Sequence, residues 1–462
     1  MINPNIFRMY DIRGIAASDL SNETVTLIGK AYGTFAKRNG CKTVTVGRDV
    51  RLSSERIKNA LVKGVISTGI HVIDIGICPT PVLYYSLVYL KTDGSVMITG
   101  SHNPIEFNGV KMNLGLLSLY GDDIMAVKSL IDKQDFESGE GALSVQDIIP
   151  AYKAMLLDRI RLERPFKIVI DAGNGVAGPI APEIFRKIGC EVVELYTEPD
   201  GHFPNHLPDP TVMDYIQDLR RRVIDEKADF GLGYDGDADR VGLIDEKGRP
   251  VYADKILALL SRDVLEKNPG STIIFDVKCS QMLPEVIKKA GGKSIMWKTG
   301  HSLIKKKMKE EGTLLAGEMS GHIFFKDSYF GFDDGIYVSL RLAAFLSRQK
   351  KTVSALVDEL PRFVSTPEIR ISCPDEKKFD VIKKLVSDFK AEYRVIDVDG
   401  ARVEFGDGWG LVRASNTQPA LVMRFEAKTD SRLEEIKQLF REKLSKFPSV
   451  SVHEMDEEDA GH

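Results

Sequence analysis

One pattern recurs three times along this chain and fixes most of what it can fold into. A β-rich apolar run ends in a polar turn at Thr43 (TVTVGRD), again at Lys167 (KIVIDAGNG) and again at Ser271 (STIIFDVK). Helical spacing follows each run, then a glycine and a second short strand: GIHVIDIG from Gly69, GCEVVELY from Gly189 and GGKSIMWK from Gly291. Strand, helix, strand is the order of a parallel βαβ unit. A third strand closes each region and runs into a loop of unusual composition: SVMITGSHNP, DFGLGYDGDADR and TLLAGEMSGH. Units of this length bury their own cores, so whole domains are repeated and the chain is not a solenoid. Ligands of open α/β sheets collect beyond the carboxyl ends of the strands. Three equivalent strand ends therefore predict one shared cleft with the three loops around it.

After about Arg370 the pattern changes. VDGARVEFGDGWGLVRASNTQPALVMRFEAK reads as antiparallel strands with Gly-rich turns, and Ser431 to Phe447 has helical apolar spacing at Leu433, Ile436, Leu439, Phe440 and Leu444. A smaller α+β fourth domain is expected there, followed by an acidic tail from His453 that should fray. The 462 residues suit this division, since one core serves about 100 to 200 residues.

Composition removes several function classes. The formal net charge is −4, so nothing suggests a nucleic-acid binder, and a chain that handles anionic molecules must gather its Arg and Lys locally. The five cysteines (Cys41, Cys78, Cys190, Cys279, Cys373) are scattered without CxxC spacing and read as reduced core thiols. No apolar run approaches the ~20 residues of a membrane span, and the N-terminal segment lacks a signal pattern. The expectation is a cytoplasmic protein with neither membrane nor nucleic acid as a partner, and a monomer, because no apolar helix face is left over.

The loops carry the chemistry. In TGSHNP, Ser101 is either a turn residue in a Gly, Asn and Pro cluster or an exposed nucleophile beside His102, and the loop alone does not choose. It lacks the G-x-S-x-G elbow of an α/β-hydrolase. In DGDADR, Asp235, Asp237 and Asp239 cannot all ionise close together without a cation, and hard divalent ions take such oxygen ligands. An EF-hand is the rival reading, with Glu246 at the twelfth position, but Arg240 stands where that loop needs glycine and the flanks look like strands. Arg240 beside the carboxylates suggests an anion resting on the ion. GEMSGH sets Glu318, Ser320 and His322 on a glycine-rich loop, a mixture of donors and acceptors that suits a sugar. RASNTQP, with Arg413 ahead of Ser415, Asn416 and Thr417, reads either as a hairpin turn or as a phosphate cradle.

Taken together, the motifs resemble the α-D-phosphohexomutases, in particular the phosphomannomutase/phosphoglucomutase group. FRMYDIRG, TGSHNP, NGVK, DGDADR, TGHS, GEMSGH and RASNTQP occur in family order over almost the whole chain. The resemblance implies four domains around a central cleft, three related α/β domains with mixed sheets plus a C-terminal α+β domain. These are expected at 1–150, 151–254, 255–368 and 369–462. It implies that Ser101 is the phosphoserine, with His102 and Asn103 beside it, and that Asp235, Asp237, Asp239 and Ser101 hold Mg²⁺. Tyr10, Arg13, Lys111, Arg240 and Lys278 resemble the polar groups around the transferring phosphoryl and the sugar, and His301 resembles a further substrate contact. Glu318 and Ser320, with His322 nearby, resemble the readers of the sugar hydroxyls; Arg413, Ser415, Asn416 and Thr417 resemble the clamp on the non-reacting phosphate.

The implied activity interconverts hexose 1-phosphate and hexose 6-phosphate through a hexose 1,6-bisphosphate. Glucose 1,6-bisphosphate or mannose 1,6-bisphosphate would be the activator. Met319 favours glucose and mannose over the amino sugars of a phosphoglucosamine mutase. A metal-dependent phosphatase with a serine nucleophile is the alternative from another class. Two positions depart from the family's commonest loops, Gly100 for Ala and Ala238 for Gly. Lys111, His102 and His322 all remain candidates for the general acid/base.

Overall fold

The computed structural model describes residues 2–415 and 418–457. Three of its four sheets have the same plan. In the first, Thr43–Arg48 pairs in parallel with both His71–Ile77 and Gly94–Ile98, and Phe107–Leu114 returns antiparallel to Gly94–Ile98. The second repeats this with Lys167–Asp171 between Glu191–Leu195 and Phe230–Tyr234, and Val241–Asp245 returning. The third has Thr272–Asp276 between Lys293–Trp297 and Leu315–Gly317, and Ile323–Phe325 returning. In each, the turn into the antiparallel strand is one of the three loops singled out above. The first sheet is widened by Ile12–Ile15 beside Phe107–Leu114, which brings the N-terminal segment next to its loop.

The fourth sheet is antiparallel and carries Arg413 on the strand Gly408–Ala414, paired with Ala420–Ala427. The helix Asp430–Leu444 overlaps the span Ser431 to Phe447 read from its periodicity, starting one residue earlier and ending three earlier. A second helix, Asp375–Lys390, packs beside it; its buried Val381, Ile382, Leu385 and Phe389 have helical spacing that the sequence reading passed over. The start of the tail departs from expectation, while residues 458–462 lie outside the described residues. Residues Glu454–Glu457 form a helical turn, Met455 is buried in the fourth core, and Glu454 accepts a hydrogen bond from the Ser372 amide at 2.6 Å, so the chain is tied down here and does not fray at His453.

Two helices position the cleft from below. Thr80–Tyr89 is apolar all round because it lies between units, in a core that runs continuously from the first unit through the second and third. Gly335–Ser347 is buried along its whole length and is capped by Asp334, whose carboxylate accepts from the Tyr337 amide at 2.8 Å. The fourth unit has its own core and meets the third through Val277, Trp409 and Leu411. Among the described residues no helix is long and apolar enough to cross a membrane, and all five cysteines are free and buried.

Candidate active site

Ser101 is a turn residue, and it is buried, not exposed as the nucleophile reading expected. Its φ of +49° makes it a turn residue in the left-handed region, where a non-glycine is strained. The turn, held by Thr99 Oγ1 accepting from the Ser101 amide at 2.8 Å, presents Oγ to the second unit. There Oγ donates to Asp235 Oδ2 at 2.8 Å, across 134 residues of sequence, and lies 3.1 Å from His102 Nδ1. The two loops are in backbone contact: a β-carbon on Gly236 would come within 2.5 Å of the Ser101 carbonyl oxygen.

Asp235, Asp237 and Asp239 are wholly buried, and one oxygen from each lies within 4.8 Å of the others. Lys111, on the returning strand of the first sheet, bonds Asp237 Oδ2 at 2.8 Å and Asp239 Oδ2 at 2.7 Å. Thr80 donates to Asp237 Oδ2 at 2.7 Å, and Arg240 Nε donates to Asp235 Oδ2 at 2.9 Å. With all three carboxylates ionised, two cations would leave one negative charge uncompensated in a buried site. Burial and the neighbouring Asp239 carboxylate push Asp235 well above the usual carboxylate range. Burial acts on Asp237 in the same sense, but Lys111 overrides it and holds Asp237 below that range. Asp237 Oδ1 and Asp239 Oδ1 are buried with no hydrogen-bond partner among the described residues. Orphan carboxylate oxygens in an acidic triad are the donor set a hard divalent cation satisfies, so the residues fit Mg²⁺. The EF-hand reading fails, because Val241–Asp245 is a strand and Glu246 accepts instead from the Ser354 amide at 3.0 Å.

The third loop meets the metal loop directly. Arg240 and His322 form an isolated antiparallel bridge, and His322 Nε2 is 3.8 Å from Asp239 Oδ1. The other ring nitrogen, Nδ1, is 3.0 Å from Asp333 Oδ2, and His301 stacks on His322 with ring centroids 5.5 Å apart. Asp333 also takes Lys305 Nζ at 3.1 Å, and His301 Nδ1 lies 3.6 Å from it. Burial holds His102, His301 and His322 below the usual imidazole range; for His322 the carboxylates of Asp239 and Asp333 offset part of that. Glu318 accepts from the Gly300 amide at 2.5 Å, and burial together with Asp276 pushes its carboxyl up to about 8. Ser320 is half-exposed at the loop's tip.

Thr299 joins three units. Its carbonyl accepts from Tyr10 Oη at 2.8 Å, its hydroxyl donates to Asp276 Oδ2 at 3.0 Å, and its amide donates to Asp399 Oδ2 at 3.0 Å. Asp399 Oδ2 also accepts from Arg413 Nε at 2.9 Å, which brings the fourth unit's arginine to the same cleft. Ser415 Oγ accepts from the Gln418 amide at 3.1 Å; Asn416 and Thr417 lie outside the described residues. Lys278 Nζ pairs with Glu368 at 2.8 Å, at the passage into the fourth unit. Arg13 pairs with Asp11 at 2.6 Å, on the strand beside the serine loop, and the Asn103 amide donates to the Gly100 carbonyl at 3.0 Å.

Sequence reasoning missed the residues that orient these groups. Thr80, Asp276 and Asp333 sit in segments with no motif of their own, although FGFDDG following GEMSGH offered an acidic pair near a histidine, and Thr299 opens TGHS, in which only His301 is singled out. Asp49 closes the run TVTVGRD as part of its polar turn, and Arg51, two residues beyond, carries no signal in the sequence.

Comparison with known proteins agrees with this layout. The chain matches four family models in order: Phosphoglucomutase/phosphomannomutase, alpha/beta/alpha domain I over residues 4–138, domain II over 149–248, domain III over 252–363 and the C-terminal domain over 368–443. It is 47% identical over 446 residues to a phosphomannomutase/phosphoglucomutase of Pseudomonas aeruginosa, covering 96% of each chain. It is 43% identical over 454 residues to a phosphoglucomutase of Neisseria gonorrhoeae, covering 97% of this chain and 98% of that one. Among solved structures, a phosphoglucomutase/phosphomannomutase family protein of Burkholderia thailandensis superposes with a TM-score of 0.91 at 43% identity, over 96% of this chain and 98% of that one.

Proposed function

The chain belongs to the phosphoglucomutase/phosphomannomutase family, and from that premise we propose that Ser101 carries a phosphoryl group which it lends to a hexose phosphate and takes back at the other end. The enzyme is a hexose-phosphate mutase, an isomerase. The observation that carries the proposed role of Ser101 is the direct hydrogen bond from its hydroxyl to a carboxylate of the buried triad, at 2.8 Å.

Each half of the reaction then has a group to serve it. The phosphoryl leaves Ser101 Oγ as a new P–O bond forms to the free hydroxyl of the sugar, giving the hexose 1,6-bisphosphate; the reverse step returns the other phosphoryl to Ser101. Splitting the migration this way makes two similar transfers of one difficult rearrangement. Charge spreads over the transferring oxygens, and Lys111, together with Arg240 Nη2, which is buried without a hydrogen-bond partner among the described residues, meets it electrostatically. Mg²⁺ held by Asp235, Asp237 and Asp239 would supply further positive charge there. A sugar hydroxyl must lose its proton as it is phosphorylated and regain one in the reverse step. His322 suits this better than Lys111, because Asp333 fixes its Nδ1 and leaves Nε2 toward the metal loop. Lys111 lies between two carboxylates that hold its ammonium charged well above the usual range, despite burial.

Glu318 and Ser320 read the sugar hydroxyls, and Arg413 and Ser415, with Asn416 and Thr417, hold the phosphate that is not reacting. The substrates are glucose and mannose phosphates, and glucose 1,6-bisphosphate or mannose 1,6-bisphosphate primes the serine. The units serving these roles run 1–150 for the serine, 151–254 for the metal, 255–368 for the sugar and 369–462 for the phosphate.

The test is kcat/KM for glucose, mannose, glucosamine and N-acetylglucosamine 1-phosphates with Mg²⁺ and a trace of glucose 1,6-bisphosphate. Comparable turnover of glucose and mannose substrates is expected. A strong preference for an amino sugar would overturn the sugar assignment while keeping the mutase, and free phosphate released in step with substrate loss would overturn the transfer itself.

A further inference from the structure

We propose that Arg51 is a positioning residue for phosphoryl transfer, a guanidinium that holds the backbone of the 101–107 loop so that Ser101 Oγ faces Asp235. It touches none of the reacting atoms. Its side chain is 1% exposed and lies under the loop. Nη2 donates to the carbonyls of Ser101 at 2.9 Å and Asn103 at 2.5 Å; Nη1 donates to those of Pro104 at 2.6 Å and Phe107 at 3.0 Å. One planar group therefore takes four carbonyls from a seven-residue segment that has few backbone partners of its own.

The partner carboxylate completes the hold from the other side. Asp49 Oδ2 is 3.4 Å from Arg51 Nε and accepts from the Gly100 amide at 3.0 Å, while Oδ1 accepts from the Arg51 amide at 3.0 Å and from Ser54 Oγ at 2.5 Å. The loop backbone lies flat on the guanidinium: a β-carbon on Gly100 would come within 2.4 Å of Nε. The second unit closes the arrangement with the Phe203 ring, 5.3 Å from the guanidinium carbon.

A left-handed serine persists only where its surroundings over-determine it. Water could satisfy scattered carbonyls, but a rigid fork of donors also fixes where they point. A charged side chain whose four hydrogen bonds all go to main-chain carbonyls around the loop that bears the nucleophile serves geometry. Its loss should therefore appear in the transfer step and leave substrate binding intact, since Glu318 and Arg413 belong to other units.

This inference rests on the phosphoserine reading, and the experiment separates the two. The full-length enzyme is loaded at Ser101 from glucose 1,6-bisphosphate labelled with ³²P, and transfer to glucose 6-phosphate is followed in a single turnover, with the rate expressed per loaded site. For Arg51→Lys the rate per loaded site is expected to fall about a hundredfold, the scale of a misplaced reacting group, with the half-saturating sugar concentration within about threefold of wild type. A purely structural role would reduce the fraction of sites that load and leave the rate per loaded site unchanged; that result overturns the proposal. Wild-type protein that takes no label at Ser101 overturns the phosphoserine reading instead. If Arg51→Lys does not fold, Asp49→Asn replaces it. This variant keeps the guanidinium but removes the charge beside it, and about a tenfold slower transfer per loaded site is expected. A wild-type rate in that variant also overturns the proposal.

Discussion

Glu318 is a carboxyl placed where ionisation is costly. Burial comes first and Asp276 second in pushing it up to about 8 from an ordinary 4.5. The sign follows from the raised value. Between about pH 4.5 and 8 the unfolded chain ionises this group while the folded chain keeps it protonated, so its contribution to stability is complete below that window and is lost as pH rises through it. Binding runs the other way. A sugar that donates two hydroxyls to Glu318 favours the carboxylate and expels a proton. Affinity for the hexose phosphate should therefore tighten as pH rises toward about 8 and level off above it. Calorimetry in buffers of different ionisation enthalpy should register the released proton, which Glu318→Gln abolishes and Asp276→Asn moves to lower pH. Proton release that persists in Glu318→Gln would remove the carboxyl from the sugar's reach.

At the scale of elements, what the sequence made legible is what lies on a repeated frame. The three strand-end loops stood out because each breaks an apolar period at the same place in its unit, and the sheets put them there. The residues that hold the loops in place had no such signal. Asp333 acts on His322 from beyond the returning strand, and Arg51 acts through carbonyls, which any sequence possesses. Asp334, next to Asp333, shows how the surrounding elements fix such a residue. Its carboxylate caps the buried helix Gly335–Ser347 and also accepts from Tyr152 Oη at 2.8 Å and Tyr329 Oη at 2.5 Å, tying that helix to the helix Ile149–Arg159 and to the loop that carries Tyr329. Asp334→Ala removes the cap and strands two buried phenols, so a loss of about 2 kcal/mol or more is expected, read as a lower thermal midpoint. Asp334→Asn, which keeps one acceptor oxygen and places an NH2 where the other stood, should cost less, and equal midpoints for wild type and Asp334→Ala would refute the cap's importance.

At the scale of the whole molecule, the distribution of cores decides which groups can move together. The second and third units share one continuous core, so the metal loop and the sugar loop are fixed relative to each other, whereas the fourth unit has a core of its own. It is gripped at one edge of the third unit: Arg402 donates to the carbonyls of Val277 at 2.6 Å and Cys279 at 2.8 Å, and Arg424 donates to that of Lys278. At the cleft its hold is lighter, through Asp399 on the Thr299 amide at 3.0 Å. A clamp that must accept either phosphate of a turning bisphosphate belongs on the unit with that freedom, because it can loosen without disturbing Ser101 or the acidic triad. Arg413 is the charged group such a clamp would use, and Asp399 at 2.9 Å keeps its guanidinium oriented toward the cleft. Removing it should weaken ground-state and transition-state binding together, since the phosphate it would hold does not react. For Arg413→Ala, KM for glucose 1-phosphate is therefore expected to rise at least tenfold, the scale of a lost charge-assisted contact, with kcat within about threefold of wild type. Steady-state kinetics at saturating Mg²⁺ distinguishes the cases. An unchanged KM would move the phosphate site off the fourth unit, and a fall in kcat at constant KM would place Arg413 with the reacting phosphoryl instead.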